Sequence, residues 1–325
     1  MARVLVTGGF GTIGRWVLRE LLKKGHSVTT LELDTAAGRK AARSLPDVRV
    51  VWGDLRDARS VREAVKEQEY VIHMAFILTP RTEEDPEGAR AINVGGTTNV
   101  IAACEAEARP PRLLFCSSVE VFGKNRHLPG PRRITDPVSA TSVYTAQKIA
   151  CERLVTEARL DTAIVRFGAV IDIALSNTHP LMFEFPFDVR FEALHPADAA
   201  TAVANAVSVD AVWGRRALLL LGGGASCQTT YGEFLNAMLT TLGVGPLPEA
   251  AFTRDDYPSD WLDTEESQRL LDYQRRSLAD IRAEIEALLG FRKAILPLVR
   301  PLVRRSILAK SPYWGRRPEV RSNTM

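Results

Sequence analysis

Four glycines stand within seven residues near the start of the chain, in ARVLVTGGFGTIGRWVL: Gly8, Gly9, Gly11 and Gly14. Each costs backbone entropy relative to alanine, so the spacing implies a geometry that a Cβ would block. Gly8 and Gly11 let a strand turn tightly and let backbone N–H groups approach a phosphate, while Gly14 lets the next helix pack closely on a sheet. The helix N-terminus then faces the pyrophosphate of a dinucleotide. Gly8, Phe10, Gly11, Thr12, Ile13 and Gly14 are therefore the candidate cradle. Glu32 follows about 18 residues after the last glycine, at the end of the next strand pattern. A carboxylate there can accept hydrogen bonds from both ribose hydroxyls and would repel a 2′-phosphate, which favours NAD over NADP. Asp34 could share that role, and Arg15, Arg39, Lys40 and Arg43 keep NADP open.

Such a loop needs strands and helices to hold it. Val4 to Val6 read as a strand, Ile13 to Leu22 as a helix and Ser27 to Leu33 as a second strand. The unit then repeats, with strands at Val48 to Trp52, Tyr70 to Ala75, Arg112 to Ser117 and Thr162 to Phe167. Helices lie between them at Ser60 to Lys66, about Glu87 to Ala106 and about Ser142 to Glu157. Alternation of this kind predicts a parallel sheet with helices on both faces and a ligand at the carboxyl ends of the strands. Beyond Gly168 prolines break up the stretch Ile171 to Leu194. Asp198 to Val207 looks helical, Ala217 to Leu221 is a strand, and Tyr231 to Leu242 and Ser277 to Leu289 read as amphipathic helices. The expected organisation is a dinucleotide-binding unit at 1–168, a small lobe interwoven with it at 169–291, and a basic tail at 292–325.

T-G-G-F-G-T-I-G at Thr7 to Gly14 resembles the T-G-x-x-G-x-x-G loop of the extended short-chain dehydrogenase/reductases, the family of NAD-dependent epimerases and dehydratases. G-D-L at Gly53 to Leu55 is similar to the segment where that family's Asp meets the adenine, which makes Asp54 and Leu55 candidates. V-I-H-M-A, ending at Ala75, resembles its fourth strand, and N-V-G-G-T from Asn93 its N-V-x-G-T helix. S-S-V-E-V-F-G at Ser117 to Gly123 and Y-T-A-Q-K at Tyr144 to Lys148 match its S-S-x-x-V-Y-G and its catalytic Y-x-x-x-K. The resemblance implies a Rossmann-type doubly wound parallel sheet with a small interwoven C-terminal substrate lobe, NAD as cofactor and no metal. It also implies a homodimer, paired through the helix from Glu87 and the helix carrying Tyr144, with Val100, Ile101, Ile149 and Leu154 at its core.

The chemistry implied is hydride transfer at a secondary alcohol or ketone carbon. Tyr144 would be the acid/base; a free phenol titrates near pH 10 and needs help at neutral pH. Lys148, one helical turn later on the same face, can stabilise a phenolate and reach ribose hydroxyls. Ser118 can hold the substrate oxygen, or simply cap the strand end. Dehydratases of the family place an acidic pair after the serine position, where this chain has Val119 and Glu120, which disfavours dehydration. Sugar-nucleotide members carry R-P-x-N after the sixth strand; this chain has Arg166-Phe167-Gly168-Ala169, which puts a UDP-sugar in doubt. His195 reads as structural.

Composition bounds the rest. With 46% hydrophobic residues in 325, the chain can build a large core, and no apolar run approaches a membrane span. The N-terminus enters a strand pattern at once, so the cytoplasm is the expected location. Cys104, Cys116, Cys151 and Cys227 read as buried, reduced thiols. From Arg292 to Arg321 there are nine Lys/Arg against Glu319, so the tail is about +8 and the remainder about −5 of a net +3. A nucleic-acid role is not expected. Ile295, Leu298, Val299, Leu302, Val303 and Ile307 share one helical face in that tail, open to three readings: a docking helix, a peripheral membrane contact or a disordered arm. The leading function is an NAD-dependent oxidoreductase or epimerase acting on a small alcohol or ketone. A sugar-nucleotide epimerase and a non-catalytic NAD-binding regulator are the alternatives.

Overall fold

The computed structural model describes residues 1–171, 180–214, 217–290 and 292–315, with residues 292–299 described in backbone only. Its strands in chain order are β1 (Arg3–Thr7), β2 (Ser27–Glu32), β3 (Arg49–Trp52), β4 (Tyr70–His73), β5 (Arg112–Ser118), β6 (Thr162–Phe167), β7 (Ala169–Val170), β8 (Arg190–Leu194), β9 (Ala217–Leu221) and β10 (Gln228–Thr230). Seven form one sheet in the order β3-β2-β1-β4-β5-β6-β9, with every pairing parallel. The strand order reverses between β1 and β4, and a crevice opens at the carboxyl ends beside such a reversal. β1 and β4 are in register from Val4 opposite Tyr70 to Thr7 opposite His73, so the glycine loop leaves the sheet beside the exit of β4.

Both faces of the sheet are covered. On one, Val17, Leu18 and Leu21 of the Gly14–Lys23 helix pack with Ala199, Ala200 and Val203 of the Pro196–Ala206 helix. On the other, Val61, Val65, Val100, Cys104, Cys151 and Val155 fill the layer under the Ala58–Val65, Gly96–Glu105 and Val143–Glu157 helices. Val100, Ile101 and Ile149 are thus already buried within the chain and cannot form the core of a dimer interface as expected; Leu154 is half-buried. All four cysteines are buried and unpaired.

The helix expected from Glu87 to Ala106 is made of three pieces: Pro86–Arg90, a π-helical turn at Ala91–Gly95 and Gly96–Glu105. The wider turn coincides with Asn93, whose buried amide accepts from the Ile77 N–H at 2.7 Å and donates to the Ile77 carbonyl and the Gln147 side chain. Beyond β6 the order is richer than the prolines implied. β8, inside the stretch expected to be irregular, pairs with β7 and antiparallel with β10 to make a second, three-stranded sheet. β9 joins the large sheet at its edge, beside β6.

The basic tail forms a helix at Arg292–Leu308. In its described part Ile307 is buried, and Val303 and Leu308 pack beside it against the aromatic core of the second sheet. Arg300 donates to the Val244 carbonyl and Arg304 to the carbonyls of Val244 and Pro246. Tyr313 then donates to Glu184 at 2.7 Å. This is the docking arrangement; the side chains of Ile295, Leu298 and Val299, and residues 316–321, lie outside the described residues. Truncating Ile307→Ala should therefore lower the unfolding free energy by about 2–4 kcal/mol. Leu302→Ala, at a side chain 71% exposed, should change it by less than about 0.5 kcal/mol. Denaturant titrations that gave equal losses would contradict the docking.

Candidate active site

The glycine loop is tight for reasons that can be measured. Gly8 has φ of +72°, and a Cβ on it would lie 2.8 Å from the Ala75 Cα, so the loop and the exit of β4 touch backbone to backbone. A Cβ on Gly14 would lie 2.4 Å from the Gly8 carbonyl oxygen and 2.7 Å from the Gly9 Cα. Gly14 is thus required by the loop itself and not, as expected, by packing of the helix on the sheet. The Gly14–Lys23 helix begins after Ile13 with no side chain capping it, leaving its positive end open to the cavity. These features fit a dinucleotide phosphate.

Glu32, at the end of β2, accepts through one oxygen from the Phe10 N–H and the Thr30 hydroxyl, each at 2.8 Å. Burial raises its pKa, and the hydrogen bonds from Phe10 and Thr30 pull the other way. The carboxyl braces the loop and lines the cavity. Asp34 is instead held by Arg39 in a two-pronged pair at 2.7 and 2.6 Å, outside the cavity lining. Asp34 and Arg39 are thus paired with each other at the surface. Arg15 donates to the Phe10 carbonyl at 2.8 Å. Asp54 and Leu55 line the cavity, with Asp54 kept ionised by Arg56 at 2.7 Å.

Ala75 lines the same cavity, whereas Asn93 lies beneath it and acts on the backbone of Ile77. A buried chain of hydrogen bonds ties these pieces together. The Met74 and Ala75 N–H groups donate to the Thr7 hydroxyl, and Thr7 meets His73 Nδ1 at 2.7 Å. His73 Nε2 meets Thr97 at 3.0 Å, and Thr97 donates to the Asn93 carbonyl at 2.6 Å. Because Thr97 gives its proton to Asn93, it must accept from Nε2–H, which fixes the His73 tautomer. Burial lowers the His73 pKa to about 3, so the ring is neutral.

Ser118, Tyr144 and Lys148 come together at the carboxyl end of β5. The Ser118 hydroxyl accepts from the Glu120 N–H at 3.2 Å, so it does cap the turn after the strand. The Tyr144 phenol is pushed above its ordinary pKa by burial and then by the Glu120 carboxyl; the Ser118 side chain pulls it down. Lys148 is 4% exposed. Its ammonium donates to the Cys116 carbonyl at 2.6 Å and sits 3.6 Å from the centre of the Phe76 ring. It is 6.0 Å from the Tyr144 ring centre, and Phe76 also meets that ring edge-on at 5.8 Å. Burial lowers its pKa to about 8.

All of the candidate site residues named from the sequence except Asn93 line one cavity of about 790 Å³. Phe76, Val170 and Phe185 are lining residues that the sequence did not single out; only Phe76, next to the Ala75 motif, had a signal. Glu120, noted only as the remainder of an acidic pair, faces Tyr144 and Lys148, and burial raises its pKa to about 7. Ser117 adds a buried hydroxyl with no partner. His195 lies elsewhere: it caps the Pro196–Ala206 helix through Nδ1 at 3.0 Å and bonds Glu284 through Nε2 at 2.9 Å. No cluster that could hold a metal occurs among the described residues.

Residues 4–171 match the family described as the NAD dependent epimerase/dehydratase family. The chain is similar to D-erythronate dehydrogenase of Haemophilus influenzae, with 27% identity over 62% of this chain and 65% of that protein. It is also similar to 3 beta-hydroxysteroid dehydrogenase/Delta 5-->4-isomerase of Mycobacterium tuberculosis, with 32% identity over 48% of this chain and 42% of that one. The matches thus span two thirds or less of these relatives. Among solved structures, UDP-glucose-4-epimerase from Stenotrophomonas maltophila, with bound NAD and formylated UDP-arabinopyranose, superposes with a TM-score of 0.73. Identity there is 21%, over 91% of this chain and 99% of that one, a likeness of fold.

A buried ammonium with a lowered pKa makes a stability statement of definite sign. Between about pH 8 and the ordinary 10.5 the folded chain holds fewer protons than the unfolded one. Stability therefore rises with pH across that window, and the full penalty is present below it. Lys148→Met should lack this rise, so its stability relative to the unaltered chain should fall as pH goes from 8 toward 10.5. Denaturant titrations at pH 7 and pH 10 test this; a difference between the two chains that stayed constant with pH would contradict it.

Proposed function

Given that the chain belongs to the NAD dependent epimerase/dehydratase family, we propose that it binds NAD and works as an oxidoreductase or epimerase of the extended short-chain dehydrogenase type. Hydride would pass at a secondary alcohol or ketone carbon, with Tyr144 as acid/base. The observation that carries this reading is the meeting of Ser118, Tyr144 and Lys148 in the cavity that the glycine loop opens into. A non-catalytic NAD-binding regulator would have no use for that trio.

The residues divide the work. Gly8, Phe10, Gly11, Thr12, Ile13 and Gly14 would hold the pyrophosphate at the open helix end, and Glu32 the adenosine ribose. Asp54, Leu55 and Ala75 would line the adenine side, with Asn93 positioning the Ile77 backbone from below. NAD supplies the hydride acceptor when bound. Ser118 would hold the substrate oxygen while the Tyr144 phenol moves its proton. Lys148, released from the Cys116 carbonyl toward ribose hydroxyls and the phenol, would bring the phenol down toward working pH.

The same reading takes units divided near residues 168 and 291, a cytoplasmic location and a homodimer. The exposed Ala102 and Ala146 and half-buried Ala150 and Leu154 support the pairing, as small or apolar positions on the two helices concerned. Among the described residues no helix is long and apolar enough to cross a membrane. Leu302 and Trp314, exposed beside Arg305, are the residues a peripheral contact with an anionic membrane would use.

Tyr144→Phe removes only the hydroxyl. Turnover should fall by roughly 10²–10⁴ while NAD affinity stays within a few fold; retained turnover would refute the role. Glu32→Ala should narrow a preference for NAD over NADP, as measured by titrating both. Equal affinity in the unaltered chain would make Arg15 the selector.

A further inference from the structure

Resting on the hydride-transfer reading, we propose that the substrate is a neutral, predominantly apolar secondary alcohol or its ketone, whose body lies against Phe76, Val170 and Phe185. The argument is one of charge. Among the described residues the cavity is lined by three cations, Arg15, Arg56 and Lys148. Arg15 is turned onto the Phe10 carbonyl of the glycine loop, and Arg56 grips Asp54 on the adenine side. Lys148 is buried on the Cys116 carbonyl and the Phe76 face. Arg15 and Arg56 are thus engaged on the cofactor side, and Lys148 serves the phenol and the ribose in the proposed mechanism, which leaves no cation dedicated to a substrate carboxylate or diphosphate among the lining residues described.

What faces the Tyr144 phenol is instead an acid and a set of rings. Glu120 lines the same wall, so an anion brought there would lose its water beside a second acidic group. Phe185 lines the cavity and is fixed from behind, stacked on Tyr257 at 3.8 Å and Tyr231 at 4.6 Å between ring centres. Phe76 stands edge-on to Tyr144 at 5.8 Å, and Val170 and Ile77 complete an apolar surface. Such walls favour a ligand with one polar handle, its hydroxyl or carbonyl at Ser118 and Tyr144, and an apolar body.

The test incubates the full chain and NAD with two neutral alcohols, dehydroepiandrosterone and menthol, and with two anions, D-erythronate and UDP-glucose. NADH is followed for all four and epimerisation for the last. At least one neutral alcohol should react with kcat/KM about tenfold or more above either anion. Phe185→Ala should then raise KM for that alcohol about tenfold with NAD affinity unchanged. The proposal is overturned if neither alcohol yields NADH, or if an anion reacts better than both. Reaction of an anion alone would defeat the substrate assignment and leave the hydride reading standing. Failure of all four together with no binding of NAD would defeat both.

Discussion

The arrangement depends on keeping one ammonium group out of water. Lys148 is a point charge on a flexible stem, and burial disfavours its charged form strongly enough to bring its pKa to about 8. Two things make the position tolerable: a carbonyl at 2.6 Å and an aromatic face at 3.6 Å. The carbonyl comes from Cys116 in the middle of the sheet, the ring from Phe76 just past β4, and the lysine from the helix before β6. Three separate crossovers must be in register before the charge has partners.

That requirement explains the buried polar chain beneath the cavity. Thr7, His73, Thr97 and Asn93 link the ends of β1 and β4 to the π-helical turn, and Asn93 reaches on to Gln147 of the Tyr144 helix. A network with every member satisfied rigidifies, whereas a half-satisfied one would cost more than an apolar core. The chain touches the reacting region nowhere, yet it sets the Ala75 backbone against Gly8 and holds the Ile77 backbone on the far side of Phe76. The stability given up at Lys148 and the order enforced by His73 belong to one design, in which a destabilising charge is held where chemistry can use it.

The strands of the large sheet were readable because their signal is local: β1, β2, β5, β6 and β9 match their apolar runs within a residue or two. The glycine cradle and Glu32 were readable because fixed spacing along the chain is what a strand–loop–helix turn requires. What escaped is non-local. β8 and β10 pair across more than thirty residues, and β8 sits among prolines that argue against a strand. The partners of Lys148 lie 32 and 72 residues away, beyond what any local spacing can show. Asn93 had the right motif and lies beneath the cavity, because a π-helical turn rotates it inward. The dimer residues Val100, Ile101 and Ile149 looked available only because an apolar helix face does not announce which surface will cover it.

The central claim is a lysine held charged in a dry, aromatic cavity with its proton loosened, and one measurement addresses it directly. Heteronuclear NMR of isotope-labelled lysine side chains, followed from pH 6 to 11, resolves the titration of the eight lysines of the chain. One resonance should titrate near pH 8, well below the ordinary 10.5, and should be missing from Lys148→Met. If all eight titrated near the ordinary value, the ammonium would be solvated, and the account of the site built around it would be wrong.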